Sequence, residues 1–392
     1  MKSKRGDLFL PIFTLWYMTE IFFNTTLESF LGFSIMQLNG ITNYLILILL
    51  MIQIIFFQTY KKKELFIIAV VSIPIIISAA RSSNYSLLSA LMFIIASKNT
   101  DFEKSISVAY KILCIMIPLV IVSRFLGIID DYIVMREGIV RYSLGFSHPN
   151  QLGLRLFQLV ACHLYINRNK LKSYNYFIAI VIVVLIYLIP NSKTAYICTF
   201  LLILLLMIYE IFQKHNQLMI EIYGRVLILF SVAFNVLSVI WSLIDVRCNF
   251  ILHQIDLFMS RRFSYCYQVF QLYGISVWGQ KIYISEDEVK LAGIIGKLYL
   301  DNGYMAIMIR YGIIVYIVFS ICYLLAMHNF KKKNQYFLLI ILFVYALYGV
   351  MENGIYMVTH NIFLISLGNM LYEKSIRKAR ENGDKAERHS DV

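Results

Sequence analysis

Four short polar runs interrupt an otherwise apolar chain, and each carries side chains that can hold an anion or move a proton. The first is Gly145-Phe146-Ser147-His148-Pro149-Asn150-Gln151-Leu152-Gly153. It sets His148 and Asn150, with Arg155 one turn later, at the head of an apolar segment, where polar groups are expensive. The second, Pro190-Asn191-Ser192-Lys193-Thr194-Ala195, places Lys193 at a helix start that Ser192 or Thr194 can cap, and backbone amides there favour an anion. A tight capped turn with an incidental lysine fits the same residues equally well. The third is Leu300-Asp301-Asn302-Gly303-Tyr304, followed by Arg310-Tyr311-Gly312. Asp301 and Asn302 also make an ordinary helix start, but Arg310 falls inside an apolar segment, where a charge needs a partner or a wet cavity. In the fourth, Glu352-Asn353 and His360-Asn361 flank a short turn that can bring a carboxylate near an imidazole.

Several guanidinium and ammonium groups with few bases suit a substrate that bears a diphosphate. The cations would stabilise the leaving group while a carboxylate or histidine activates an acceptor hydroxyl. No cysteine cluster, closely spaced histidine pair or acidic run points to a metal centre, and no glycine-rich phosphate loop follows a strand. Metal-independent chemistry without a cofactor is therefore expected.

The elements that must position these residues are membrane helices. Apolar residues make up 59% of the 392 and charged residues 15%, and mean hydropathy is +0.70; such a chain could not cover a soluble surface. Windows long enough to cross ~30 Å of hydrocarbon give an all-α polytopic membrane protein of about twelve transmembrane helices. Their approximate limits are 8–27, 41–60, 65–80, 85–97, 108–128, 151–166, 176–190, 195–212, 226–244, 303–327, 336–351 and 356–372. With both termini cytoplasmic, 23 of the 36 Lys and Arg fall inside, 10 outside, and Arg124, Arg155 and Arg310 in the membrane. The net charge of +13 is thus a topology signal and not a nucleic-acid footprint. All four polar breaks lie on the outer side, together with Arg81, Arg136 and Arg141.

The chain reads as one integral membrane unit over 1–392, with a large extracytoplasmic loop at 245–302 and a basic cytoplasmic tail at 373–392. Within the loop, Ile255 to Tyr273 has the spacing of an amphipathic helix lying along the membrane surface, with Asp256, Ser260 and Ser264 on its polar side. Arg262 sits near the centre of the apolar arc. It needs a buried anionic partner, as a ligand contact or a structural ion pair, or else must snorkel to the interface. The first apolar segment carries Glu20 and no small-residue cleavage site, so it reads as a retained span. Cys248 and Cys266 share the loop, and spacing alone leaves their pairing open.

The four runs, with Glu352 and Asn361 closing the series, resemble the motif order of the O-antigen and capsular polysaccharide polymerases of the Wzy type, within the O-antigen ligase and polymerase superfamily. The resemblance spans nearly the whole chain. It implies a glycosyltransferase that moves a growing glycan from polyprenyl diphosphate to a new lipid-linked repeat unit in a bacterial cytoplasmic membrane. It implies Arg141, Lys193, Arg262 and Arg310 as diphosphate ligands, and His148, Asp301, Glu352 and His360 as competitors for the acid/base or acceptor-orienting role. Asn150, Arg155, Thr194, Asn302 and Asn361 would position substrate. Membrane lipids, a flippase and a chain-length regulator are the partners it implies. Lys193 departs from the related Ser-Arg-Thr pattern, because lysine cannot make the bidentate contact of arginine. A lipid-linked oligosaccharide flippase or other secondary transporter shares the twelve-span layout, and a ligase of the same superfamily shares the motifs; outer-end polar residues and an external long loop favour an interfacial enzyme over a transporter.

Overall fold

The computed structural model describes residues 8–30, 32–136, 138–284 and 298–368. The segment Tyr336–Met351 is apolar on every face, and a helix of that kind has to be surrounded. It is the axis of the molecule: every residue but Leu347 is buried. In chain order the helices are α1 (Phe9–Phe23), α2 (Ile35–Phe56), α3 (Lys62–Ser82), α4 (Ser86–Ala96), α5 (Phe102–Phe125), α6 (Pro149–Ile166), α7 (Ser173–Leu188), α8 (Lys193–His215), α9 (Gln217–Leu243), α10 (Phe250–Phe258), α11 (Arg262–Tyr273), α12 (Gly303–Ala306), α13 (Ile313–Lys332) and the axial α14 (Tyr336–Met351). α6, α8, α9 and α13 pack around α14.

Six of these, α2, α3, α5, α8, α9 and α13, are long and apolar enough to cross a membrane. α1, α4, α7 and α14 are apolar but shorter. The outward faces of α2, α3 and α7 expose Ile48, Phe66 and Phe177, which suits contact with lipid and not with water. The chain is accordingly built as a helical membrane protein, although twelve full-length spans do not emerge among the described residues. α4 covers only about 16 Å at 1.5 Å per residue. The expected span 303–327 is broken, running as α12, a wide π turn at Ile307–Tyr311, and then α13. The break is at Gly312, whose φ of 91° suits glycine. A Cβ there would lie 2.4 Å from the Gly279 amide nitrogen, because the loop segment 276–280 crosses the broken helix. Gln280 N donates to Arg310 O and Ile313 N to Ser276 O, so the loop supplies partners that the interrupted helix lacks. The expected last span, 356–372, begins as a non-helical turn and a 3₁₀ turn at Ile362–Ser366; its end, the tail at 373–392 and loop residues 285–297 lie outside the described residues.

The single amphipathic helix expected over 255–273 is instead two. Ser260 and Arg261 adopt φ of 59° and 62°, which ends α10 and starts α11 in a new direction. Asp256 accounts for the break. It is fully buried, and its carboxylate accepts from Phe263 N, Ser264 N and Ser264 Oγ, capping α11 instead of facing solvent. Cys248 and Cys266 are both free, one exposed and the other buried.

Two hairpins complete the end that carries the long loop. β1 (Ser29–Phe30) pairs with β2 (Phe33–Ser34), and β3 (Ile133–Arg136) pairs with β4 (Ile139–Tyr142) in the register Ile133 to Tyr142 and Arg136 to Ile139. Asp131 fastens the second hairpin by accepting from Ser143 N, Ser143 Oγ and Leu144 N. Arg136 and Arg141 are thereby held against the turn between α7 and α8.

Candidate functional site

Because α14 is the axis, the residue just past its C-terminus stands at the centre of one end of the molecule. That residue is Glu352. Its Oε1 accepts from Arg262 Nη2 at 2.9 Å, Asn150 Nδ2 at 3.2 Å and Thr194 Oγ1 at 3.3 Å. Four segments distant in sequence therefore converge on one carboxylate oxygen: the first residue of α11, the first turn of α6, the first turn of α8 and the end of α14.

Local sequence explains each approach. Pro149 is favoured in the first turn of a helix, and His148 caps α6 by accepting from Asn150 N through Nδ1 at 3.1 Å. Gly153 lets α8 come close, since a Cβ there would be 2.7 Å from Ser192 Cβ; this brings Asn150 and Thr194 to the same oxygen. Asn150 is held at both ends. Its Oδ1 accepts from Arg141 Nη2 while its Nδ2 donates to Glu352. Arg141 Nε donates to Pro190 O at 2.9 Å, and Arg136 Nη2 donates to Asn191 O at 3.0 Å. The second hairpin is in this way tied to the turn that starts α8. Asp301 lies 3.7 Å from Arg262 Nη1 and is 42% exposed, against 8% for the Arg262 side chain, so it stands at the mouth of the cluster.

Burial pushes the Glu352 carboxyl above the ordinary carboxylate range; Arg262 pulls it back and Asp301 adds to the rise. Burial works against the charge on Arg262, but Glu352 and Asp301 outweigh it and hold the guanidinium firmly protonated. Burial, with Arg141 beside it, lowers His148 to about 4. The imidazole is neutral at pH 7. With Nδ1 engaged as an acceptor, its proton is on Nε2, which makes it a donor. Burial and the neighbouring Arg136 bring Arg141 down to about 10. Among the described residues the cluster sets Arg136, Arg141 and Arg262 against Glu352 and Asp301, with Lys193 half-buried at the start of α8 next to Thr194. The excess is positive.

The remaining polar residues marked in the sequence form separate groups. Arg155 is fully buried on α6, donating through Nη1 to Thr359 O at 2.8 Å and Gln158 Oε1 at 2.9 Å. Gln158 Nε2 donates to the carbonyls of Thr359 and His360, and Tyr17 OH donates to Gln158 Oε1. This set pins the turn after Glu352 to the bundle. His360 sits in that turn against Gly354, where a Cβ would lie 2.6 Å from the ring, and burial followed by the Arg155 charge lowers it to about 3. Arg310, in the π turn, stands beside Tyr356. Asn302 is fully buried and caps α12 by accepting from Tyr304 N and Met305 N, and Asn361 is buried with its Nδ2 toward Ile355 O. Arg81 is exposed in the last turn of α3.

Gln158 and Asp131 carry structure that the motifs do not announce. The i, i+3 spacing of Arg155 and Gln158 on an apolar helix is the available signal for the first, whereas Asp131 lies in a loop with no pattern to distinguish it. None of the described residues forms a group of three or more His, Cys, Asp or Glu side chains able to hold a metal ion. Comparison with protein-family models, with curated proteins and with solved structures gives no match to this chain.

Proposed function

We propose that the chain is a membrane glycosyltransferase, a polysaccharide repeat-unit polymerase acting on glycans linked to polyprenyl diphosphate at the outer face of a bacterial cytoplasmic membrane. The observation that carries the reading is the convergence of Arg262, Asn150 and Thr194 on Glu352, with Arg136 and Arg141 close by. This is a buried carboxylate able to take a proton, set beside guanidiniums able to take a diphosphate.

In this reading the acceptor hydroxyl gives its proton to Glu352 as its oxygen bonds to the anomeric carbon of the donor. The anomeric bond to the diphosphate breaks, and the polyprenyl diphosphate leaves with the electron pair. Arg262 shifts part of its hydrogen bonding from Glu352 to the leaving group as that charge develops, while Arg141, fixed by Pro190 O and Asn150, gives a preorganised second cation. His148 donates through Nε2 to substrate oxygens, and Asp301 at the mouth orients the acceptor. The resemblance of the four polar runs to the polymerase motif order supports the same reading.

The test is to incubate the purified protein in lipid vesicles with polyprenyl-diphosphate-linked repeat units and to resolve products by length. A ladder of extended products is the expected result. Unextended substrate carried across the bilayer would replace the reading with a flippase, and extension only of a separate, non-lipid-linked acceptor would replace it with a ligase.

A further inference from the structure

A second space, with both polar and apolar walls, the latter including Trp16 and Met357, lies between α1, α2, α4 and the turn after Glu352. It is a cavity of about 250 Å³, which is room for roughly eight waters at ~30 Å³ each or one sugar ring. Its wall carries one carboxylate, Glu20, the carboxamides Asn43 and Asn84, the hydroxyls of Ser86 and Thr359, and Tyr85, which is 51% exposed. Among the described residues no Lys or Arg lines it. The contrast with the arginine-rich cluster is chemical: a wall of mixed donors and acceptors without a cation suits a neutral polyhydroxy ligand, and is poorly matched to a phosphate.

The cavity is also mechanically joined to the candidate site. Thr359, which lines it, receives Arg155 and Gln158 on its carbonyl, and Arg155 is five residues, or about 7.5 Å of helix rise, along α6 from Asn150. Asn84 is held in place as its Oδ1 accepts from Tyr311 OH and Ser86 N. Glu20 is steadied by Asn24 and Asn43 and lies within the field of Arg155. The groups are thus fixed before any ligand arrives, which lowers the cost of binding.

We propose that this cavity is a subsite for an uncharged sugar residue of the glycan, one step removed from the reacting centre. The inference rests on the reading of the chain as acting on lipid-linked glycans, which supplies the ligand class. Binding there gives the enzyme a hold on the repeat unit away from the reacting bond, and that binding energy can be used to orient the acceptor.

The test is saturation-transfer NMR on the full chain in lipid nanodiscs, with a panel of neutral methyl glycosides of gluco, galacto and manno configuration and their 2-acetamido forms. At least one should bind saturably, and Glu20→Gln should weaken it about tenfold or more. Ser89→Leu fills the cavity while leaving those hydrogen bonds in place, and should do the same; it decides the matter if Glu20→Gln fails to fold. Arg262→Ala should bind the sugar as the parent does. The inference is overturned if no glycoside binds, or if binding is unchanged in both cavity variants. Sugar binding without a product ladder would retain the subsite and discard the polymerase, whereas a ladder without sugar binding would do the reverse.

Discussion

Arg155 and Arg262 are both buried arginines near the same end of the molecule, 0% and 7% exposed, yet they are held in different ways. The guanidinium of Arg155 bonds to a backbone carbonyl and a carboxamide. That of Arg262 bonds to Glu352 and faces Asp301. A carbonyl cannot leave or change its charge, so Arg155 is a strut that fixes a turn. A carboxylate can be protonated, and a competing anion can take its place, so Arg262 is a contact that can be exchanged. Burial alone does not separate the two roles; the chemistry of the partner does.

The largest effect on folding should come from breaking the strut. Arg155→Ala leaves buried Gln158 and the Thr359 carbonyl short of a donor and opens a space inside α6, at a cost of about 2–4 kcal/mol. Folded protein in the membrane should fall sharply, as size-exclusion recovery and thermal melting will show. Arg155→Lys should restore only part of it: one nitrogen, Nη1, makes both bonds, which an ammonium can copy, but the volume of the buried planar guanidinium is lost. Undiminished folding in Arg155→Ala would erase the distinction between the two arginines.

Breaking the exchangeable contact should act on activity instead. Arg262→Ala should retain most of the folded protein and lower long-chain product by about 100-fold or more, as expected for loss of a cation that meets charge developing in the transition state. Reduced protein level with normal specific activity would make Arg262 a second strut.

The comparison sharpens with pH. Burial raises the Glu352 carboxyl above its ordinary range, and the base must be deprotonated to work, so activity should fall as pH drops through that raised value. Arg262→Lys weakens the pull that lowers it and should move this acid limb to higher pH. His148, at about 4, stays neutral across the same window, so His148→Gln should leave the limb where it is. Rate measurements between about pH 5 and 8 on the parent and these two variants distinguish the assignments. The smallest effect is expected for Asp301→Asn: at 3.7 Å from Arg262 and 42% exposed, the pair contributes about 1 kcal/mol or less, and stability should barely change while acceptor affinity declines a few-fold.

Much of this end of the molecule is legible in the sequence because polar residues stand out in apolar surroundings. The runs at His148, Lys193, Asp301 and Glu352 are marked by that contrast, and so is the need of Arg262 for a buried anion. Which anion it meets is not legible: Glu352 is 90 residues away, and only the packing of α11 on α9, and of α9 on α14, brings them together. Arg155 looks equally functional in sequence, since a backbone carbonyl partner leaves no trace in residue type. The break of the loop helix at Ser260 and Arg261 is hidden for a related reason. Positive φ at non-glycine residues has no sequence pattern here, and Asp256 shows its capping role only once α11 has turned back onto it. The interruption at Gly312 is not legible either, because an apolar run such as Ile313–Lys332 reads the same whether the helix before it is continuous or broken.

The central claim is that Glu352 is the group that takes the acceptor proton. Its most direct test is the initial rate of glycan extension by Glu352→Gln in lipid vesicles, measured against equal amounts of folded parent. The amide keeps an oxygen for Arg262, Asn150 and Thr194 but cannot accept the proton, so the account predicts protein that still folds, with a melting temperature lowered by the loss of the charge facing Arg262, and a rate per folded molecule lower by about 10²–10⁴-fold. A Glu352→Gln protein that extends glycan at the parent rate would contradict it.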